Sequence, residues 1–209
     1  MCSVILASPS ETVGVVLCSA RWQRSSADSY LPTSSPEALI LLIALTPSSE
    51  EIQKLVAFEN AFDYIFSIIE AEGSLSHGME VVEDCLSLLA NLLRLNAPNQ
   101  SYFRETGYVK ELTKLLAIVN KEEESDEPVP PWELAHRMKN IWGILAIIQL
   151  FLVRGGISTP VNQLAFWQLG VTEQVLRTAF SQSFDVKVTS KVSDGMLRIP
   201  LCPGLTTTL

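Results

Sequence analysis

The chain has 209 residues, a formal charge of −8 and 47% hydrophobic residues, with aliphatic side chains far outnumbering aromatic ones. A sequence of this length buries roughly 70% of the surface its unfolded chain exposes, so neither a metal nor a disulfide framework is required to hold a core. The acidic balance, with no run of Lys or Arg longer than a pair, argues against nucleic acid and anionic lipid as principal ligands, because both are recognised by clustered cations.

The opening stretch "MCSVILASPSETVGVVLCSARW" is mildly apolar but lacks the basic region of a secretory signal, and Pro9, Ser10 and Glu11 interrupt it. Residues 1–34 are Ser-rich without helical periodicity and are expected to form a poorly structured extension. "PEALILLIALT" then begins a helix at Pro36, with Ser35 as cap and Pro at the first helical position. Ser48 and Glu51 have the spacing of a capping box ahead of "EIQKLVAFENAFDYIFSII", Glu51 to Ile69. "EGSLSHG" reads as a Gly-flanked loop in which His77 is solvated.

In "MEVVEDCLSLLANLLRLN", Val82, Cys85, Leu86, Leu89, Leu92 and Leu93 recur at helical spacing, and Pro98 opens the next element. "NQSYFRETGYVKELTKLL" follows, from Asn99 to Leu116. "KEEESDEPVPP", Lys121 to Pro131, cannot pack in a core, and its prolines block helix continuation; it is expected to be a solvated insertion at 121–131. The next helix, "WELAHRMKNIWGILAIIQLFLV" from Trp132, is apolar nearly all round beyond Ile141. Its run Ile141 to Val153 is shorter than the roughly 20 residues of a membrane span and contains Gln149. A soluble intracellular chain is expected. Thr159 before Pro160 repeats the cap-and-proline device ahead of "NQLAFWQLGVTEQVL", and residues 184–209 read as an irregular tail without heptads.

One phrase is written three times. Gln53, Gln100 and Gln163 align; so do Val56, Phe103 and Phe166, and then Asn60, Gly107 and Gly170. Asn is the residue that best replaces Gly in the left-handed conformation that ends a helix, so each copy reads as short helix, sharp turn, longer helix. The steps between copies are 47 and 63 residues, the excess falling in the acidic insertion. A period in the forties with three helices per unit predicts an all-α, armadillo/HEAT-like solenoid of about three repeats over residues 35–183, and no alternating run supports a strand.

Little in the sequence points to catalysis. Cys2, Cys18, Cys85 and Cys202 are scattered without a CxxC pair, which argues for reduced thiols and no metal site. His77 and His136 have no nucleophile at motif spacing, and no GxSxG, GxxxxGK or HExxH occurs. Glu83 and Asp84 are adjacent, so on a helix they point about 100° apart and do not converge. No catalytic, cofactor-binding or metal-binding residue is therefore assigned, and no cofactor is expected. Lys110 and Lys114 share one helix face beside Glu111 and are weak candidates for a docking spot; Trp132, after the proline loop, is a candidate interface anchor. Phe58, Phe62, Phe66, Tyr102, Phe103 and Phe166 fall at repeat-equivalent or helical positions and are expected in the core.

In this order and spacing, "EIQKLVAFENAFDYIFSIIEAEG", "VVEDCLSLLANLL" and "NQSYFRETGYVKEL" resemble the globular head of the general vesicular transport factor family, over about Ala38 to Ser183. The resemblance implies an armadillo-type head without enzymatic activity. It also implies protein partners of the Rab-type GTPase, golgin and SNARE classes in ER-to-Golgi and intra-Golgi traffic. The expected location is cytoplasmic, peripheral to Golgi and vesicle membranes, with membrane association indirect, through proteins. Full-length members dimerise through a coiled coil that has no counterpart in this sequence. The resemblance carries no partner-binding residue over to single positions. Two other readings stay open: a different armadillo adaptor such as a nuclear import receptor, although "YVKELTKLL" lacks the Trp and Asn array that grips peptides there, and a truncated isoform without function of its own.

Overall fold

The computed structural model describes residues 36–122 and 130–180. The N-terminal extension, the C-terminal tail, Ser35, Cys2, Cys18, Cys202 and most of the acidic insertion lie outside the described residues. The described residues are an all-α solenoid without strands. Its first unit comprises α1 (Pro36–Leu45), a 3-10 turn (Thr46–Ser48), α2 (Glu50–Phe58) and α3 (Ala61–Ala71). A single-turn helix α4 (Ser74–His77) leads to the second unit, α5 (Glu80–Leu93), α6 (Ala97–Glu105) and α7 (Val109–Glu122). The third unit is α8 (Pro131–Phe151), α9 (Thr159–Gln168) and α10 (Val171–Phe180).

The units stack through equivalent helices. α5 packs between α1 and α8, α7 packs on α10, and α4 is wedged against both α7 and α8. Within each unit the second helix turns into the third through a left-handed residue: Asn60 at φ 61°, Gly107 at φ 91° and Gly170 at φ 78°. These are the positions at which a Cβ opposes the conformation, and Asn tolerates it best among residues that carry one.

A continuous file of rings runs through the three units. Phe62 meets Phe103 edge-on at 5.1 Å, Phe103 meets Phe151 at 5.5 Å, and Phe151 meets Phe166 at 5.3 Å. All four are buried, and Val56 is buried at the position equivalent to Phe103 and Phe166. Phe58 departs from its expected place in the core: it sits at the end of α2, touches Tyr102 at 5.8 Å and remains 68% exposed. A ring in the last turn of a short helix overhangs the edge of the unit and does not reach its centre.

Side-chain amides close the helix ends. The last four carbonyls of a helix lack intrahelical partners, and here they are buried between units. Gln53 Nε2 donates to the carbonyl of Thr46 at 2.9 Å and Asn91 Nδ2 to that of Ile43 at 3.2 Å, closing the end of the first helix. Asn99 Nδ2 donates to Leu92 at 2.8 Å and Gln100 Nε2 to Leu93 at 2.9 Å, closing α5. Asn162 Nδ2 donates to Phe151 at 3.1 Å, closing α8. In that third unit Asn162 takes the capping role, and Gln163 Nε2 is buried without a hydrogen bond.

The same amides link neighbouring units. Asn96 Nδ2 donates to Gln53 Oε1 and Asn99 Nδ2 to the Gln53 carbonyl, while Arg104 Nη1 donates to Asn162 Oδ1 at 2.6 Å. On the other side, Thr113 Oγ1 donates to the Leu169 carbonyl, and Asn120 exchanges bonds with Gln174 and Thr178.

Several start signals are displaced from their sequence reading. The cap of α2 is Ser49, whose hydroxyl accepts from the Ile52 amide at 3.3 Å; Ser48 belongs to the 3-10 turn begun by Thr46 and Pro47. Thr159 is the first helical residue of α9 and donates to the Val153 carbonyl at 2.6 Å, where a cap reading had it accept an amide. At the insertion, α7 runs through Lys121 to Glu122, and Pro131 is the first residue of α8, where its missing N–H costs nothing.

Replacing Gly107 with Ala is expected to cost about 1–2 kcal/mol, because an added Cβ meets nothing within 4 Å and only the backbone conformation opposes it. Gly107→Asn is expected to lose less, and urea unfolding of both variants measures the difference. Asn99→Leu keeps the branched shape but strips the Leu92 and Gln53 carbonyls of their donor. It is expected to lower unfolding free energy by about 2–3 kcal/mol, read from the same curves.

Candidate protein-interaction surface

α5 and α8 lie side by side and run in the same sense, since their N-terminal turns are bridged to one another and their middles touch. Leu86 of α5 approaches α8 at Gly143, where a Cβ would lie 3.0 Å from Leu86 Cδ1. Gly is used here for close helix approach; its φ is not the reason. Above this crossing lies a cleft of about 380 Å³. α5 contributes Glu83, Leu86, Ser87 and Ala90, and α8 contributes Lys139, Trp142, Gly143 and Ala146. Both sets follow the i, i+3, i+4, i+7 spacing of one helix face.

One end of the cleft is polar. Glu83 Oε1 pairs with His136 Nδ1 at 2.6 Å and with Lys139 Nζ at 3.4 Å, both on α8. Next to it, His77 Nδ1 at the end of α4 meets Glu133 Oε1 at 2.5 Å. The sequence reading missed this corner. His77 is exposed, as expected, but it stands on a single-turn helix and not in a loop, and it reaches α8; Glu83, in the first turn of α5, bridges two helices. The partners stand more than fifty positions apart in sequence, and only the stacking brings them together.

Asp84, beside Glu83, points elsewhere and makes no convergent pair with it. Burial first, and then the charges of Glu83 and Glu80, hold its carboxyl above the usual aspartate range. Burial also pushes the Cys85 thiol up to about 12, so it stays protonated and inert at neutral pH. Among the described residues no cluster of His, Cys, Asp or Glu is arranged to hold a metal ion, and no helix is long and apolar enough to cross a membrane.

The other candidates lie apart from the cleft. Lys110 and Lys114 are exposed on α7, and Lys114 Nζ is engaged by Glu111 Oε1 at 2.6 Å. Trp132 is 56% exposed in the first turn of α8, on a different helix from the two lysines. The aromatic that lines the cleft is Trp142, which the sequence reading did not single out. The third unit also leaves Val161, Leu164, Trp167, Leu176 and Phe180 exposed along α9 and α10.

No family model matches the chain. Among curated proteins, Intracellular protein transport protein USO1 of Saccharomyces cerevisiae is 43% identical over 152 residues, 73% of this chain and 8% of that protein. General vesicular transport factor p115 of Homo sapiens is 36% identical over 141 residues, 66% of this chain and 14% of its own length. Golgin candidate 6 of Arabidopsis thaliana is 62% identical over 50 residues, 24% of this chain and 5% of that protein. Among solved structures, the crystal structure of Uso1-1 superposes with a TM-score of 0.75 and 34% identity, covering 92% of this chain and 28% of that one. Uso1-2 does so with a TM-score of 0.72 and 36% identity, covering 90% and 25%. The chain thus spans a small part of the length of each relative.

Replacing Asp84 with Asn is expected to raise the melting temperature slightly at pH 7. A carboxyl whose folded pKa is raised penalises the native state once ionised, and Asn removes that charge. The penalty is absent in the protonated acid, so the gain should fade as pH falls from the raised folded value to the ordinary aspartate value. Thermal melts at several pH values check both halves.

Proposed function

Because the chain belongs by homology to the general vesicular transport factor family over part of its members' length, we propose that it is a protein-docking portion of a vesicle-tethering head. It acts in ER-to-Golgi and intra-Golgi traffic by holding partner proteins on helical surfaces, and not by catalysis. The observation that carries this reading is the 43% identity to the yeast transport protein over 152 residues, together with a shared helical architecture at a TM-score of 0.75.

The partner classes follow from the family: Rab-type GTPases, golgins and SNARE proteins. Recruitment to Golgi and transport-vesicle membranes is then indirect, through those proteins, in keeping with an acidic chain that has no cationic cluster for lipid headgroups. Lys110, Lys114 and Trp132 are kept as candidate contacts on this surface, and all three are exposed.

The test is competition. The purified 209-residue chain, added to an assay in which a full-length tether joins transport vesicles to Golgi membranes, is expected to bind the membranes and reduce tethering in proportion to its concentration. Binding should disappear after the membranes are stripped of peripheral proteins. Failure to bind untreated membranes or to compete overturns the reading.

A further inference from the structure

We propose that the cleft between α5 and α8 is a binding site for a short extended peptide of a partner protein, one that carries a Lys or Arg next to an aliphatic residue. This rests on the docking reading above and names the chemistry of one docked partner.

The size of the cleft comes from the helix faces that line it. From Glu83 to Ala90 and from Lys139 to Ala146 is seven residues on each helix, about 10 Å at 1.5 Å per residue. An extended chain rises about 3.3 Å per residue, so the trough takes about three residues and has no room for a helix. Its walls are Leu86, Ala90, Trp142, Gly143 and Ala146, which leave the middle and far end apolar. The small side chains at Ala90, Gly143 and Ala146 open space that larger residues would fill, and an aliphatic side chain matches it.

Charge selects the rest of the occupant. Around the polar end stand the carboxylates of Glu80 and Glu83 on α5 and Glu133 on α8, against Lys139 and the two imidazoles of His77 and His136. Three carboxylates stand there against one ammonium group. A cation entering past Trp142 toward Glu83 meets a carboxylate, which favours it. An acidic peptide would meet the opposite field, and a phospholipid surface would be repelled in the same way.

The probes are two fluorescein-labelled decapeptides, one alternating Leu with Arg and one alternating Leu with Glu, titrated into the full 209-residue chain by anisotropy. The basic peptide is expected to bind saturably and the acidic one is not. Ala146→Trp fills the trough from an exposed position and Glu83→Gln removes its carboxylate; each is expected to weaken binding about tenfold or more, while far-UV circular dichroism stays unchanged. Binding of the basic peptide that survives Ala146→Trp overturns the proposal, as does failure to bind it at all. If peptide binding fails while the chain still competes for membrane tethering, the cleft proposal falls and the tethering reading stands. Peptide binding lost in Ala146→Trp but present in a wild-type chain that does not compete for tethering supports the cleft and overturns tethering.

Discussion

The structure depends on one constraint: a stack of short helices buries its own helix ends. Each end presents carbonyls without intrahelical partners, and stacking removes the water that would otherwise satisfy them. A buried carbonyl left unpaired costs about 1–3 kcal/mol, so an array with several such ends would consume most of a domain's stability. Gln53, Asn91, Asn99, Gln100 and Asn162 meet the need by donating side-chain amide hydrogens to those carbonyls. α8 extends the device sideways: Arg137 donates to the Val119 carbonyl in the last turn of α7, and Asn140 to the carbonyls of Leu75 and Gly78 at the end of α4.

This explains why the repeated phrase contains Gln and Asn at all. In a purely hydrophobic account the repeat would conserve only apolar positions. The amides recur because every unit brings one first-helix terminus under one short helix, and the offset of seven residues from acceptor to donor is the same for Gln53, Asn99 and Gln100. In the third unit the connection is longer and Asn162 reaches back eleven residues to Phe151. The aromatic file performs the complementary task at the centre of the stack, where Phe62, Phe103, Phe151 and Phe166 pass contact from unit to unit.

Repetition also decides how much of the fold is legible in the sequence. The all-α solenoid, the three units and the turns at Asn60, Gly107 and Gly170 could be read because the same physical problem is solved three times in nearly the same letters. Features that occur once could not. The single-turn helix holding His77 has no copy to align with, and four residues carry too little periodicity to announce a helix. Capping residues slipped by a position, as with Ser49 in place of Ser48, because Ser-Ser in sequence does not say which hydroxyl faces the amide. Phe58 looked like core by spacing alone, and only the position of the short helix at the edge of its unit exposes it.

The same logic separates the parts of the surface that repeat from the part that distinguishes this protein. Shifting α5 by 55 positions onto α8 pairs Leu86 with Ile141, Leu89 with Ile144, Leu92 with Ile147 and Leu93 with Ile148, all of them buried. Those pairs differ by little more than the placement of a methyl group, because neighbouring units must present the same stacking face. Away from that stacking face the chemistry diverges: Ser87 is paired with Trp142 and Glu83 with Met138. Of these, Glu83, Ser87 and Trp142 line the cleft, beside Leu86 of the stacking face. A repeating architecture therefore supplies the trough, since parallel neighbouring helices always leave a furrow between them, and the non-repeating residues along its rim supply whatever selectivity it has. Binding specificity in such a fold is carried by the differences between units, where an alignment of the repeats sees only noise.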